Sequence, residues 1–386
     1  MLKPVRPSVA GVFSPLGLLV LWAIAGCAPP AEQGPPSTAS ETPAASEPTL
    51  LGSTENSVAA IPASEMPEEL VYVTSQLSEA EVGSLAAVAP NVTVIRVENA
   101  AEAARYAGEA HGMDANLATE EFLTATPGLR WLQSWSAGVE RYVRMPTVEA
   151  RDELVLTNMA GMYGPVIAEH VFAMLLSRTR DLNHYLALSE EGRWDRQSGG
   201  AMEALQGRTM LVVGVGGIGS EIALRAHAFG MRVLGTVRSA RPAPPYVDYL
   251  GTGDELPDLL PQADIVVLAV PLTDETRHMI DAAALASMPK GAWLVNIARG
   301  PVVDTDALVQ ALDQGHLGAA FLDVTDPEPL PAGHPLWGRE NVFITPHVAG
   351  NAELSGDRAY ALFTENLRRF GAGEPLLNVV DKSAGY

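Results

Sequence analysis

The chain has 386 residues, too many for one ordinary compact domain and about right for two domains with a tail. Its 25 Lys and Arg stand against 46 Asp and Glu, and the net charge of −21 argues against nucleic acid as a partner, since phosphate binding needs clustered cations; it does not exclude a small anionic substrate held by one local Arg. The lone cysteine, Cys27, rules out an internal disulfide and a cysteine-based metal site, and none of the 8 histidines forms an HExxH pairing, so no metal is expected.

Lys3 and Arg6 precede an apolar stretch from Val9 to Ala25 whose densest run, Leu16 to Ile24, is shorter than the ~20 apolar residues of a membrane span. A basic start, a short apolar middle and small residues at the end describe a secretory signal over residues 1–26. Its end, Ile24-Ala25-Gly26-Cys27, is similar to the lipobox of bacterial lipoproteins, which implies lipid attachment at Cys27, export, and anchoring to a membrane surface. A mature chain free of thiols suits an oxidising compartment. Residues 28 to 67 are rich in Pro, Ala, Ser, Thr and Glu and lack Lys and Arg; they cannot bury enough surface to fold and read as a tether.

The folded body opens with the β-like run Leu70 to Thr74, followed by Val92 to Val97, Arg130 to Trp135 and Leu154 to Asn158, with helical patterns between them. This alternation predicts a small parallel α/β domain. A long helical pattern starts at Pro165, with Ile167, Val171, Met174 and Leu175 on one side, and continues to about Leu188. A second α/β unit has strands at Met210 to Val213, Val233 to Val237, Asp264 to Val270, Ala292 to Ile297, Ala319 to Val324 and Val342 to Thr345. These runs are almost continuously apolar, as strands covered on both faces require. Helical segments alternate with them, including Asp281 to Met288 and Asp306 to Gln314, which is the pattern of a doubly wound nucleotide-binding sheet. A helical segment over Glu353 to Phe370 and the run Leu376 to Asp381 close the chain.

Between the strand Met210 to Val213 and a helix read over Ser220 to Phe229 lies Gly214-Val215-Gly216-Gly217-Ile218-Gly219. In this strand-turn-helix context Gly214 permits the turn, Gly216 admits a pyrophosphate to the backbone, and Gly219 lets the helix approach the strand. The helix N-terminus supplies partial positive charge for the phosphates. Sites selective for NAD carry Asp or Glu at the end of the second strand; here Val237 is followed by Arg238, Ser239 and, nearby, Arg241. Arg and hydroxyl groups suit a 2′-phosphate, so NADP(H) is expected over NAD(H).

Three further residues follow three successive strands and so share the carboxyl edge of the sheet, where ligands bind in doubly wound folds: Arg299, Glu328 and His347. Arg299 can fork onto a carboxylate. Singly, each has a bland reading as an ion-pair residue, a solvated acid or a satisfied histidine; on three consecutive strand ends they predict a site.

Over residues 70 to 386 the chain resembles the D-isomer-specific 2-hydroxyacid dehydrogenase family. The motifs are Gly214 to Gly219, Pro271-Leu272-Thr273 to Thr276, Met288-Pro289-Lys290-Gly291 to Val303-Asp304, and Pro346-His347. Asp323 to Pro331 followed by His334-Pro335-Leu336-Trp337 is most similar to the glyoxylate and hydroxypyruvate reductase branch, and Ser136 to Val139 and Ala168-Glu169-His170 are also family-like. The resemblance implies two doubly wound parallel-sheet domains: a flavodoxin-like substrate domain (68–164 and 349–386) and an inserted Rossmann cofactor domain (165–348). It implies cofactor contacts from Gly214, Gly216, Gly217, Ile218, Gly219, Val270, Pro271, Thr276 and Ile297, with Asp323 at the nicotinamide carboxamide. Arg299 would bind the carboxylate of a small 2-oxo acid together with the backbone of Ser136, Ala137 and Gly138. His347 would donate the proton, and Glu328 would stabilise its charged form. A homodimer joined near the long helix is implied as well. The competing reading is a cofactor-binding sensor or scaffold on the same fold. Formate dehydrogenase-like chemistry is disfavoured by Glu328, where those enzymes carry Gln. The export signal departs from the family, because nicotinamide cofactors are scarce outside the cytoplasm.

Overall fold

The computed structural model describes residues 57–197, 199–200 and 202–386; Cys27, the signal segment and residues 28–56 of the expected tether lie outside the described residues, whereas residues 57–67, expected in the tether, are folded, with Ala60 and Ile61 buried in the first domain's core and the Val58 carbonyl accepting from the Leu376 amide at 2.9 Å. Among those described, no helix is long and apolar enough to cross a membrane. The body is built on two parallel sheets. The first contains β1 (Leu70–Thr74), β2 (Val92–Arg96), β3 (Gly112–Asp114), β4 (Trp131–Gln133) and β5 (Val155–Thr157) in the order β2-β1-β3-β4-β5. All its pairings are parallel, giving the flavodoxin-like order. Short helices α1 (Glu79–Leu85), α2 (Ala100–Ala103), α3 (Glu120–Ala125), α4 (Glu140–Val143) and α5 (Pro146–Ala150) connect them. Local chemistry starts several of these: Ser78 and Glu81 form a reciprocal capping box at α1, and Thr119 caps α3.

The sequence pattern predicts four strands here, and the structure has five. The missed strand, β3, is Gly-Met-Asp, too short and too poor in β-formers to register as a run. Tertiary packing makes it: a Cβ on Gly112 would stand 2.6 Å from Cδ2 of Tyr72, so glycine is what lets the Tyr72 ring lie across the strand. Asp114 then receives hydrogen bonds from Tyr72 Oη (2.9 Å), Thr74 Oγ1 (2.7 Å) and Trp135 Nε1 (2.8 Å). Burial pushes its carboxyl above the usual range, and these donors oppose that shift without cancelling it.

The second sheet contains β6 (Thr209–Val213), β7 (Arg232–Val237), β8 (Tyr249–Thr252), β9 (Ile265–Leu268), β10 (Trp293–Asn296), β11 (Ala319–Leu322) and β12 (Val342–Ile344), in the order β12-β11-β10-β9-β6-β7-β8. Its helices are α6 (Gly164–Thr179), α7 (Leu182–Glu190), α8 (Gly217–Ala228), α9 (Leu256–Leu259), α10 (Ala282–Ser287) and α11 (Thr305–Asp313). The strand order reverses between β6 and β9, and that switch point sets the crevice where ligands bind. The central strands are buried on both faces, as their apolar runs require. The seventh strand, β8, is also absent from the sequence reading: it is a half-exposed edge strand of Tyr-Leu-Gly-Thr with no hydrophobic run. The long helix expected from Pro165 to about Leu188 is two helices. It breaks at Arg180 and Asp181, where Asp181 adopts φ 52° and its Oδ2 accepts from the Gly199 amide at 2.6 Å. Asp tolerates the left-handed region better than most residues, so the turn forms without glycine.

The last helix, α12 (Glu353–Ala372), returns to the first sheet. Its Leu362, Phe363, Leu367 and Phe370 pack in one core with Leu70, Tyr72 and Trp131, where the Trp131 and Phe363 rings stack at 5.9 Å. Beyond it the run Leu376 to Asp381 contributes one antiparallel bridge, Val379 to Thr157. Lys382 Nζ then donates to the carbonyls of Val148, Arg151 and Leu154 at 3.1, 2.6 and 3.3 Å, fixing the tail to the first sheet's side of the body.

Candidate active site

The glycine turn follows β6 and starts α8, with Gly216 as N-cap. Gly214 has φ 96°, in the left-handed region, and a Cβ on Gly219 would stand 2.1 Å from the Gly214 carbonyl oxygen, so both glycines are required by the turn itself. Gly216 meets nothing within 4 Å in the direction of a Cβ, and it and Gly217 are exposed. The turn thus presents bare backbone and a helix N-terminus to open space, which fits a dinucleotide pyrophosphate. Val270, on the loop after β9, lies against Gly214, while Ile218 and Ile297 pack into the core beneath the turn. The Pro271–Thr276 loop is closed on itself: Thr276 Oγ1 donates to the Pro271 carbonyl (2.7 Å) and accepts from the Thr273 amide (2.8 Å).

After β7, Arg238 and Ser239 are exposed. The Arg238 guanidinium lies over the ring of Tyr386, 4.9 Å from its centroid, and Arg241 donates to the Val215 carbonyl within the glycine turn at 2.6 Å. Two cations therefore flank the turn on the β7 side.

At the other end of the same edge, His347 Nδ1 is 2.8 Å from Glu328 Oε1. A carboxylate only accepts, so Nδ1 carries the hydrogen, and the ring presents Nε2 for proton exchange. His347 has φ 55°, uncommon for a residue other than glycine, and its amide donates to the Asp323 carbonyl at 2.8 Å. Asp323, buried behind it, holds the segment that follows: Oδ1 accepts from Thr345 Oγ1 (2.6 Å) and the Val348 amide (3.0 Å), and Oδ2 from the Ala349 amide (3.0 Å). The single hydroxyl hydrogen of Thr345 points at Asp323, so His170 Nε2, 3.0 Å from Thr345 Oγ1, is the donor there. His170 and Thr345 have no assigned role in the sequence reading. The family-like motif around His170 was the available signal.

Arg299 follows β10. Its Nη1 donates to the Ala298 carbonyl at 2.7 Å and its Nε to Glu140 Oε1 at 2.5 Å. Glu140 is the first residue of α4, so this ion pair joins the two domains. It follows the Ser136–Val139 loop directly, yet nothing in a linear reading pairs it with a residue 159 positions away. Burial pushes the Glu140 carboxyl up, but the Arg299 charge and hydrogen bond, with a contribution from His347, outweigh it and hold the carboxyl below the usual range. The Ser136–Gly138 loop is fixed by Asn158 Nδ2 donating to the Ala137 carbonyl (2.9 Å) and by the Gly138 amide donating to Ser136 Oγ (3.2 Å). A Cβ on Gly138 would stand 1.6 Å from Arg299 Nη2, so the loop backbone and the guanidinium are in contact.

A parallel sheet that reverses beside a bare glycine turn, with an Arg and a His–Glu pair at the same edge, defines a nicotinamide-dependent oxidoreductase. Residues 172–349 match the family model described as "D-isomer specific 2-hydroxyacid dehydrogenase, NAD binding domain". The chain is 34% identical over 272 residues to a glyoxylate reductase of Thermofilum pendens, a match covering 68% of this chain and 78% of that one. It superposes with a TM-score of 0.71 and 35% identity on a D-isomer specific 2-hydroxyacid dehydrogenase family protein of Aeromonas salmonicida, covering 82% of this chain and 100% of the other. An NADPH-dependent glyoxylate/hydroxypyruvate reductase of Sinorhizobium meliloti, solved with NADP and sulfate, gives a TM-score of 0.68 at 28% identity, covering 82% and 100%. The chain belongs to the D-isomer-specific 2-hydroxyacid dehydrogenase family and is an enzyme of that class.

The contact between Gly138 and Arg299 gives a direct test. Gly138→Ala should displace the guanidinium by about 1 Å or more and raise KM for the acid substrate at least about tenfold, with cofactor affinity unchanged. An unchanged KM in steady-state assays would show that Arg299 does not work from this position.

Proposed function

We propose that the enzyme reduces a small 2-oxo monoacid of the glyoxylate or hydroxypyruvate kind to the (R)-2-hydroxy acid. The observation that carries this reading is the His347–Glu328 pair, with Nδ1 committed to the carboxylate and Nε2 available, at the same sheet edge as Arg299. The relatives named glyoxylate reductase and glyoxylate/hydroxypyruvate reductase support the substrate class.

The glycine turn, the loop after β9 and the cations after β7 would hold the dinucleotide, and bound NAD(P)H supplies the hydride. Arg299 and the Ala137–Gly138 backbone orient the substrate carboxylate, which fixes the 2-oxo group beside His347. As hydride reaches C2, the carbonyl π pair moves to oxygen, and that oxygen takes the proton from Nε2 of His347. Glu328 stabilises the imidazolium before transfer and holds the neutral ring in place after it. The family resemblance would also place Asp323 at the nicotinamide carboxamide; here its carboxylate is buried and accepts from Thr345, Val348 and Ala349.

NADPH is the proposed cofactor. No acid ends β7, and Arg238 and Arg241 stand beside the turn instead, a composition suited to a 2′-phosphate. A homodimer is also proposed, formed around the long-helix region. Leu186 on α7 is 62% exposed and Trp194 just beyond it 91%, an apolar surface that a second copy would cover.

Three outcomes test these readings. With NADPH and a panel of 2-oxo acids, His347→Ala should lose about 10²- to 10⁴-fold in kcat while binding NADPH normally, and Arg299→Ala should lose both KM and kcat. Wild-type turnover by His347→Ala would place the proton donor elsewhere, with His334 the next residue to examine. In fluorescence titrations, Arg238→Ala should weaken NADPH by roughly 10- to 150-fold and NADH far less, from one charge-assisted contact worth about 1.5–3 kcal/mol; equal losses would remove the case for NADP. By light scattering, Trp194→Asp should convert a dimer to a monomer, and a monomeric wild type would contradict the assembly.

A further inference from the structure

Arg299 already holds a carboxylate. Its Nε–H donates to Glu140 at 2.5 Å, and the two side chains are only 26% and 30% exposed, so the pair is partly shielded from solvent. Gly138 leaves the guanidinium room to lie there; a Cβ would stand 2.8 Å from Glu140 Oε2 as well as 1.6 Å from Arg299 Nη2. Glu140 also lies within electrostatic reach of His347. The cluster therefore contains two cations when His347 is protonated, Arg299 and His347, and two anions, Glu140 and Glu328. With His347 protonated, its charges sum to zero before any substrate enters.

We infer that Glu140 is an internal competitor for the substrate-binding arginine and a filter against doubly charged substrates. It rests on the reading of Arg299 as the carboxylate clamp. In the empty cleft Glu140 holds the guanidinium in place. A substrate carboxylate must displace it, and the displaced Glu140 stays beside the pocket as an anion without its partner. A monoanionic 2-oxo acid takes the cluster to −1, whereas a dianion takes it to −2 in a partly desolvated cleft where like charges repel strongly. Replacing Glu140 by a neutral isostere removes both the competition and the repulsion. Glu140 acts through Arg299 and is a positioning residue; the chemistry remains with His347.

The test uses the full chain with NADPH, comparing wild type, Glu140→Gln and Glu140→Asp on glyoxylate, a monoanion, and oxaloacetate, a dianion. Glu140→Gln should lower KM for glyoxylate by roughly 1.5- to fivefold, the range of an incompletely buried ion pair, and should lower KM for oxaloacetate by a larger factor. Glu140→Asp keeps the charge and should keep the wild-type preference for the monoanion; if Glu140→Gln fails to bind NADPH, Glu140→Ala, also neutral, reads the same ratio. Because Arg299 holds the Glu140 carboxyl below the usual range, it stays ionised across neutral pH. A KM for glyoxylate that is unchanged or raised in Glu140→Gln, or an equal effect on both substrates, overturns the inference. An unchanged KM in Arg299→Ala would instead overturn the clamp reading on which it rests.

Discussion

The carboxylate of Asp323 fixes the geometry on which the site depends. It directly follows β11, is 3% exposed, and accepts three hydrogen bonds from the segment that follows β12. A buried carboxylate without donors is strongly unfavourable, so the chain after β12 is held where Thr345, Val348 and Ala349 can supply them. That placement turns His347 into its unusual backbone conformation and brings Nδ1 to Glu328, which stands on the loop after β11. His170, from α6, completes the arrangement through Thr345. One buried carboxylate thus couples the helix at the start of the second domain, two strand ends and the His347 imidazole.

The first domain contributes differently. Its sheet and aromatic core, with α12 returned onto it, carry a loop whose Gly138 lies against Arg299, and a helix whose first residue is Glu140. The two domains meet through ion pairs of opposite character. Glu140–Arg299 is partly buried and lies in the site, while Arg144–Asp274, at 3.1 Å, is exposed and near the Pro271–Thr276 loop. The tail adds a third connection, because Lys382 is tied to the first domain and Tyr386 reaches Arg238 on the second. Movement of the domains is therefore resisted by these three contacts.

The strands that carry the site were legible because they are apolar runs ended by polar, functional residues. β6, β10, β11 and β12 can each be read from composition alone, and with them the edge that collects Arg299, Glu328 and His347. β3 and β8 were not, because one is formed by the packing of Tyr72 over Gly112 and the other is a half-exposed edge. The break between α6 and α7 was hidden because Asp181, not glycine or proline, makes it. Pairings such as Glu140 with Arg299 and Tyr386 with Arg238 depend on how two domains and a tail come together, and no local pattern encodes that. Arg238 shows the same limit: its position after β7 could be read from the sequence, but the aromatic ring beneath it could not.

The most direct measurement is the structure of a ternary complex with NADPH and oxamate, an unreactive analogue of a 2-oxo acid. The account predicts the oxamate carboxylate between Arg299 and the Ala137–Gly138 backbone, its carbonyl oxygen within hydrogen-bond distance of His347 Nε2, and Glu140 turned away from the guanidinium. Oxamate bound away from Arg299, or a carbonyl oxygen out of reach of His347, would contradict it.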